Sequence, residues 1–258
     1  MMRAVRSLWW REILRFGRQR SRVTGALVQP LLFWMLLGGG LSASFRPPGA
    51  APGLSYLAYL YPGILVLVLL FTAIFATIST VEDRQSGFLQ GVLAAPLARS
   101  GIVLGQALGG TTLAVGQGAI LLLLAPLAGL SLSSPGLRAS VLVLALVGFG
   151  LTSLGLVIAW RLESTQGFHA IMNLILIPIW LMSGAFFPSG GVATPLAWVM
   201  RLDPLTYGLA ALRRCLAFRG AMTAEELPGL AFSLTITVLF GAAMFAAAAT
   251  TARRSSAH

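Results

Sequence analysis

The sequence predicts an all-α, polytopic membrane protein made of one transmembrane domain, residues 1–258. Of the 258 residues, 57% are hydrophobic and only 10% are charged, whereas a soluble domain has roughly 25% charged residues. The mean hydropathy is +0.86. Six apolar stretches are each long enough to cross a bilayer as a helix, which takes about 20 residues.

The first predicted element is the segment 1–22. At 100° per residue, four apolar side chains share one face and four arginines share the opposite face. These are Val5, Trp9, Ile13 and Phe16, and then Arg11, Arg15, Arg18 and Arg22. We expect an amphipathic interfacial helix, with its apolar face in the acyl boundary and its guanidiniums at lipid phosphates. A solvated basic tail is the alternative. The apolar run that follows is too long for the core of a cleaved signal peptide.

Six predicted spans follow, and none holds Asp, Glu, Arg or Lys in its interior. They are Val23–Phe45, Tyr56–Thr80, Ile102–Leu130, Leu137–Trp160, Phe168–Phe187 and Pro228–Thr250. Carriers coupled to protons or ions usually have ionisable groups at membrane depth. The sequence therefore disfavours an ion-coupled carrier, although backbone carbonyls could still bind a cation.

Arginine counts orient these spans. With the N-terminus inside, 12 arginines are cytoplasmic and 6 are external, which agrees with the excess of positive residues on cytoplasmic loops. We therefore expect a multi-pass protein of the inner or plasma membrane with both termini in the cytoplasm. The net charge of +11 does not indicate nucleic acid as a partner, because the arginines lie at the ends of spans and not on one soluble face.

The residue types needed for catalysis are scarce. A P-loop requires Gly-Lys-Ser/Thr, and the chain has no lysine. Its histidines are His169 and His258, and its one cysteine is Cys215, so neither a zinc site nor a serine–histidine pair is expected. We expect no enzyme activity, metal or cofactor in this chain, and any transport must be powered by a partner.

The predicted cytoplasmic loop 81–101 combines fixed charges with a short apolar helix. Gly87 can end the preceding helix, and the apolar spacing after it predicts a short amphipathic helix that Pro96 ends. The candidate site residues are Glu82, Asp83, Arg84, Gly87, Phe88, Leu89, Leu93, Ala95, Pro96 and Arg99. This pattern fits either a helical hairpin on the lipid surface or a docking knob for a soluble partner.

The predicted external region 188–227 is too apolar for a free loop and too interrupted by prolines for a span. Non-helical backbone at membrane depth must be covered by protein or line a cavity. We therefore expect a re-entrant helical hairpin before the last span, with Asp203 as a helix N-cap. The candidate residues of this outer region are Gly184, Phe187, Pro188, Asp203, Pro204 and Tyr207.

At these two loops the sequence resembles the permease subunits of ATP-binding-cassette transporters of the type-2 exporter class. The first shared pattern is an acidic residue, a glycine, an apolar helix, Ala-Pro and a basic residue, matched by Glu82, Gly87, Leu89, Ala95, Pro96 and Arg99. The second is matched by Gly184, Phe187, Pro188, Pro204, Leu205, Thr206, Tyr207 and Arg213. Three positions depart from the usual residues: Phe88 replaces Thr, Gln106 replaces Lys and Asp203 replaces Asn.

The resemblance implies a half-transporter in which two permease chains, as a homodimer, join two ATPase subunits that hold ATP and Mg²⁺. It implies that 81–101 is the coupling loop, that the N-terminal helix also contacts the ATPase, and that 188–207 forms an outer gate. The apolar spans favour a hydrophobic or amphiphilic substrate (drug, lipid or lipid-linked glycan). A non-transporting scaffold that recruits a soluble partner and an ion-coupled carrier remain the alternatives.

Overall fold

The computed structural model describes residues 2–41, 55–95, 97–130, 135–186, 192–216 and 228–254. Within these ranges the chain is helical and has no strand, which confirms the all-α class. The helices are α1 (Met2–Arg18), α2 (Arg20–Phe33), α3 (Tyr56–Gln85), α4 (Phe88–Ala94), α5 (Arg99–Leu122), α6 (Pro135–Ala159), α7 (Thr165–Trp180), α8 (Thr194–Leu202), α9 (Pro204–Cys215) and α10 (Leu230–Arg254). Of the predicted site residues, Pro96, Phe187 and Pro188 lie outside the described ranges.

Two of these helices continue into π-helical segments, and one is followed by a 3-10 turn. Trp34–Gly39 extends α2, and Leu181–Ala185 extends α7. After α5, the 3-10 segment Ala125–Ala128 contains Pro126 near its start. The regular helix therefore ends at Leu122, short of the predicted third span, which was expected to run to Leu130.

Four helices in the described ranges are long and apolar enough to cross a membrane: α3, α6, α10, and α7 with its π-helical extension. The other two predicted spans correspond to α2 and α5, which are not among these four. Helix α2 has 14 residues before its backbone becomes π-helical. Helix α5 is rich in glycine and contains Gln106 and Gln117, which lowers its mean hydropathy. The count of six spans therefore stays a prediction.

Helix α3 lies at the centre of the bundle. It contacts α2, α5, α6, α7 and α9, and nearly all of its side chains are buried. A helix that is apolar on every side needs protein or lipid on every side, and here the other helices supply it. Ser55 caps its start by accepting a hydrogen bond from the Ala58 amide at 3.1 Å.

Helix α1 packs along α5, and the glycines of α5 allow the two backbones to come close. A Cβ atom at Gly105 would lie 2.8 Å from Leu8 Cβ, and one at Gly109 would lie 2.7 Å from Glu12 Cβ. Such small residues, four apart, are typical of closely packed helices in membrane proteins. Helix α1 is therefore part of the bundle.

This packing corrects the predicted surroundings of the apolar face of α1. Val5 and Phe16 are buried within the protein, and the indole Nε1 of Trp9 donates a hydrogen bond to Thr112 Oγ1 at 2.9 Å. Ile13 is half-buried. The amphipathic helix is present, but protein and not the acyl boundary covers most of its apolar face.

The segment before α10 consists of short helices that begin at prolines. Pro195 stands in the first turn of α8, and Pro204 opens α9. Asp203 separates them, and its Oδ1 accepts a hydrogen bond from the Leu205 amide at 2.8 Å, as expected for an N-cap. Gly184, with φ of +83° in the left-handed region, interrupts the π-helical extension of α7.

Candidate functional site

Three arginines and three carboxylates meet where α1 and the start of α2 pack against the end of α3. This charge cluster consists of Arg11, Arg15, Arg22, Glu12, Glu82 and Asp83. Arg15 pairs with Glu82 at 2.7 Å, and Arg22 pairs with the other oxygen of Glu82. The formal charges of the six side chains cancel when all are ionised.

Asp83 is the most enclosed acid of the charge cluster, with only 2% of its surface exposed. Arg11 holds it with two hydrogen bonds, Nη2 to Oδ1 at 2.6 Å and Nη1 to Oδ2 at 2.7 Å. Arg15 Nη1 donates a third hydrogen bond to Oδ1. A buried carboxylate is tolerated only when such bonds replace its hydration, and here both oxygens are satisfied.

Glu12 is buried beside Asp83 on the inner face of α1. Ser79 Oγ donates a hydrogen bond to its Oε2 at 2.7 Å, and Arg11 Nη1 donates to its Oε1 at 3.1 Å. Burial raises the pKa of the Glu12 carboxyl, and these two hydrogen-bond donors oppose that rise. Glu12 is a single acidic residue among the apolar residues and arginines of α1, and this was the sequence signal for its contact with α3. We did not predict that contact.

The charge cluster also corrects the expected role of the N-terminal arginines. We predicted that Arg11, Arg15, Arg18 and Arg22 would face lipid phosphates. Arg11, Arg15 and Arg22 instead face the carboxylates at the end of α3. Arg18 is exposed and forms no ion pair within the described part of the chain.

Arg84 points away from the charge cluster and joins α3 to the end of α6. Its guanidinium donates to the carbonyl oxygens of Trp160 at 2.7 Å and Leu162 at 3.2 Å. These carbonyls follow the last residue of α6, where a positive charge is favoured by the helix dipole. The neighbouring Gln85 donates to the Glu163 carbonyl oxygen at 2.7 Å, so the two helix ends are joined twice.

Gly87 makes the turn from α3 into α4, as predicted. Its φ of +75° lies in the left-handed region, where a residue with a Cβ is strained. The helix that follows buries Leu89, which is 3% exposed and belongs to an apolar cluster with Ile102 and Trp160. The predicted docking knob therefore turns one of its apolar side chains inward.

The outward edge of α4 is formed by Phe88, Gln90, Gly91 and Ala94, all exposed. Phe88 is 43% exposed, and the Cζ atom of Arg11 lies 3.9 Å from its ring centroid. Leu93 and Ala95 are half-buried. Arg99 begins α5, and its Nη1 is buried without a hydrogen-bond partner in the described ranges.

The predicted outer-region residues lie at the opposite end of α3. The Gly184 carbonyl accepts hydrogen bonds from Arg213 at 2.9 Å and Tyr59 at 3.3 Å. Tyr207 donates to the Arg201 carbonyl at 2.7 Å. Asp203 Oδ2 is buried without a hydrogen-bond partner in the described part of the chain. Burial raises the pKa of Asp203 to about 7, although the Leu205 amide opposes the rise.

Comparison with known proteins identifies the family. Residues 3–216 match the family described as ABC-2 type transporter. The chain belongs to this family. Among similar proteins, the putative transport permease ycf38 of Cyanophora paradoxa is 27% identical over 241 residues, covering 89% of this chain and 82% of its own. Nodulation protein J of Rhizobium leguminosarum bv. trifolii is 28% identical over 210 residues, covering 80% and 79%.

Family membership makes this ABC-2 chain a membrane transport subunit of the permease type. In the described ranges, four helices are long and apolar enough to cross a membrane, which agrees with a multi-pass membrane protein. The family also implies association with an ATP-binding-cassette ATPase subunit. In the described ranges of this ABC-2 permease, no group of three or more His, Cys, Asp or Glu side chains could hold a metal ion.

Proposed function

We propose that this permease is the membrane-spanning subunit of an ATP-driven exporter and that it docks a separate ATPase through the outward edge of α4. The observation that carries this proposal is the two-sided character of α4. Leu89 packs inward, while Phe88, Gln90, Gly91 and Ala94 are exposed to different extents. A short helix fixed on one side and exposed on the other is suited to bind a groove on a partner.

The residues around α4 suit it to transmit movement. A turn of two residues, Ser86 and Gly87, joins it to α3, and α3 contacts α2, α5, α6, α7 and α9 in addition to α1 and α4. ATP and Mg²⁺ would bind the partner subunits and draw them together. Because α3 is central, a displacement of α4 would shift α3 relative to its neighbours and open a path for the substrate.

The proposed membrane arrangement has six spans, with α2 and α5 completing the four apolar ones, a re-entrant hairpin formed by α8 and α9, and both termini in the cytoplasm. We propose two copies of this chain per transporter, in the inner or plasma membrane. A groove of about 700 Å³ along α2, lined by Thr24, Val28, Leu32 and Leu36 among others, is available for lipid or for the second copy. The apolar lining is compatible with a hydrophobic or amphiphilic substrate.

Co-purification tests the docking proposal. The tagged chain would be isolated from its native membranes in mild detergent and analysed for a bound P-loop protein and for ATP hydrolysis. Gly91→Trp adds a bulky ring to the outward edge of α4, where a new Cβ would meet no atom within 4 Å. We expect it to lower the bound ATPase by about tenfold or more, as central interface changes do.

Gly39→Trp is the matched control, because Gly39 also has open space around its Cβ position and lies far along the chain from α4. It should retain the ATPase. If the wild-type chain carries no P-loop partner, the exporter proposal is wrong and a scaffold or an ion-coupled carrier takes its place. Transport that an ionophore abolishes would indicate the carrier.

A further inference from the structure

We infer that Arg11 is a positioning residue: it holds α4 in its docking orientation by joining Asp83, at the end of α3, to Phe88, at the start of α4. The geometry of α1, α3 and α4 supports the claim that Arg11 positions α4. The effect of that position on docking of the ATPase rests on the proposed function. It assigns to α1 a role inside the chain, in addition to any contact with lipid or with a partner.

The guanidinium of Arg11 uses its edge and its face at the same time. Its edge makes the two hydrogen bonds to the Asp83 carboxylate, at 2.6 and 2.7 Å. Its face covers the Phe88 ring at 3.9 Å from the centroid. Only arginine combines bidentate pairing with stacking on an aromatic ring, because its charged group is planar and has several donors. Lysine would retain the charge and lose both geometries.

Helix α4 needs such a contact because its other packing contacts hold only its inner side. It has seven residues, and helices this short are not stable alone in water. Gly87 gives it a left-handed turn without a side chain. Leu89 and Leu93 pack against one apolar cluster and hold the inner side, and the contact between Arg11 and Phe88 holds the outward edge. Without the second contact, only the inner side of α4 is held.

The charge cluster allows Arg11 to be changed without leaving a buried carboxylate that lacks a hydrogen-bond donor. Asp83 keeps its hydrogen bond from Arg15, and Glu12 keeps its hydrogen bond from Ser79. Arg22 and Arg15 continue to pair with Glu82. An Arg11 variant should therefore fold, and its effect should be concentrated in α4.

Hydrogen–deuterium exchange of the full chain in lipid nanodiscs tests the inference directly. In Arg11→Lys, the amides of α4 should exchange about two- to fivefold faster than in the wild type, the change expected from losing one cation–π contact. The amides of α6 should be unchanged. Arg18→Lys, on the same helix but with an exposed side chain, is the matched control and should exchange like the wild type.

Phe88→Leu provides the reciprocal test. It should speed exchange in α4 by a similar factor, and the double variant with Arg11→Lys should add little, because both changes remove one contact. Wild-type exchange in α4 of Arg11→Lys would overturn the inference. So would fully additive effects of the two substitutions, which would show that the two side chains act independently.

A second measurement separates this inference from the proposed function. In proteoliposomes that contain the ATPase, Arg11→Lys should bind the ATPase about two- to fivefold more weakly, because the docking orientation of α4 is less populated, and Arg18→Lys should bind it like the wild type. If no ATPase binds the wild type, the proposed function is wrong, while the exchange result still decides whether Arg11 positions α4. If the ATPase binds and exchange in α4 is unchanged, only the inference about Arg11 is wrong.

Discussion

The two ends of α3 satisfy their polar groups in different ways. At the charged end, the charge cluster joins α1 and α2 to Glu82 and Asp83 through ionised groups that are up to 72 residues apart in sequence. At the aromatic end, neutral rings and one arginine, Arg213, donate to backbone carbonyls. Trp34 Nε1 donates to the Leu57 carbonyl and Trp180 Nε1 donates to the Gly63 carbonyl, each at 2.8 Å.

This difference follows from the backbone at each end. The two π-helical segments, Trp34–Gly39 and Leu181–Ala185, pack against the aromatic end. In a π-helix and at the left-handed Gly184, regular helical hydrogen bonds are interrupted. Carbonyls there accept bonds from side chains, as Gly184 does from Tyr59. The charged end has regular helices and buried charges, so its stability depends on pairing of opposite charges.

The largest expected effect is at the charged end. Asp83→Asn removes the buried carboxylate between Arg11 and Arg15 and leaves two guanidiniums facing a neutral amide. We expect a loss of about 3–5 kcal/mol in the free energy of unfolding, the usual result of breaking a buried ion pair from one side. Titration of the folded chain with a denaturing detergent, followed by circular dichroism, measures it.

Glu163→Gln is the control for this substitution, because Glu163 is exposed and forms no ion pair in the described ranges. It should change the free energy of unfolding by less than about 0.5 kcal/mol. If the two substitutions lower the free energy of unfolding equally, Asp83 contributes no more to stability than an ordinary surface acid.

The free energy of unfolding should depend on pH because of Asp203, which lies between α8 and α9 near the aromatic end. Its pKa is raised from 3.8 to about 7 by burial, so the folded state binds a proton more tightly than the unfolded state. The associated stability is fully present below about pH 4 and is lost as the pH rises to about 7. Asp203→Asn removes this group and keeps a side chain that caps helices well.

We therefore expect Asp203→Asn to be more stable than the wild type at pH 8, by on the order of 1–3 kcal/mol. Near pH 4 the wild type and the variant should have nearly equal free energies of unfolding. Unfolding titrations at several pH values measure the difference. A wild-type chain that loses no stability relative to the variant between pH 4 and pH 8 would contradict the prediction.

Sequence patterns located the elements of both ends well. Four local features were predicted and are present in the structure: the helix end near Gly87, the short helix after it, the short helices α8 and α9 at Pro195 and Pro204, and the cap at Asp203. Each depends on local conformational preferences, such as the freedom of glycine or the missing amide of proline. These preferences act over a few residues, so one sequence is enough to detect them.

Contacts between distant elements were not predicted from the sequence. Periodicity showed that Val5 and Phe16 share one face of α1, but not that α5 covers that face. The arginines on the other flank were assigned to lipid phosphates, because a carboxylate of α3 and a phosphate attract them equally in a sequence argument. Only the packing of Leu8 and Glu12 onto the glycines of α5 places Arg11 beside Asp83.

A neutral hydrogen bond at the aromatic end should have a smaller effect than Asp83. Trp180→Phe removes the indole donor and leaves the Gly63 carbonyl without that bond. We expect a loss of about 1–2 kcal/mol in the free energy of unfolding. Trp198→Phe is the matched control, since Trp198 is exposed, and it should cost much less. The same denaturing-detergent titration compares the two, and equal losses would show that the Gly63 contact adds nothing.

The smallest expected effect concerns Glu82, whose ion pairs should depend on the salt concentration. Glu82 pairs with Arg15 and Arg22, but 26% of its side chain is exposed, so Glu82→Gln should cost less than about 1 kcal/mol. Salt screens partly exposed charges, and this cost should shrink further between about 0.1 M and 1 M NaCl. The cost of Trp180→Phe should be the same at both concentrations, because neither partner in that hydrogen bond is charged. If both costs respond equally to salt, the two ends of α3 are not held by different kinds of interaction.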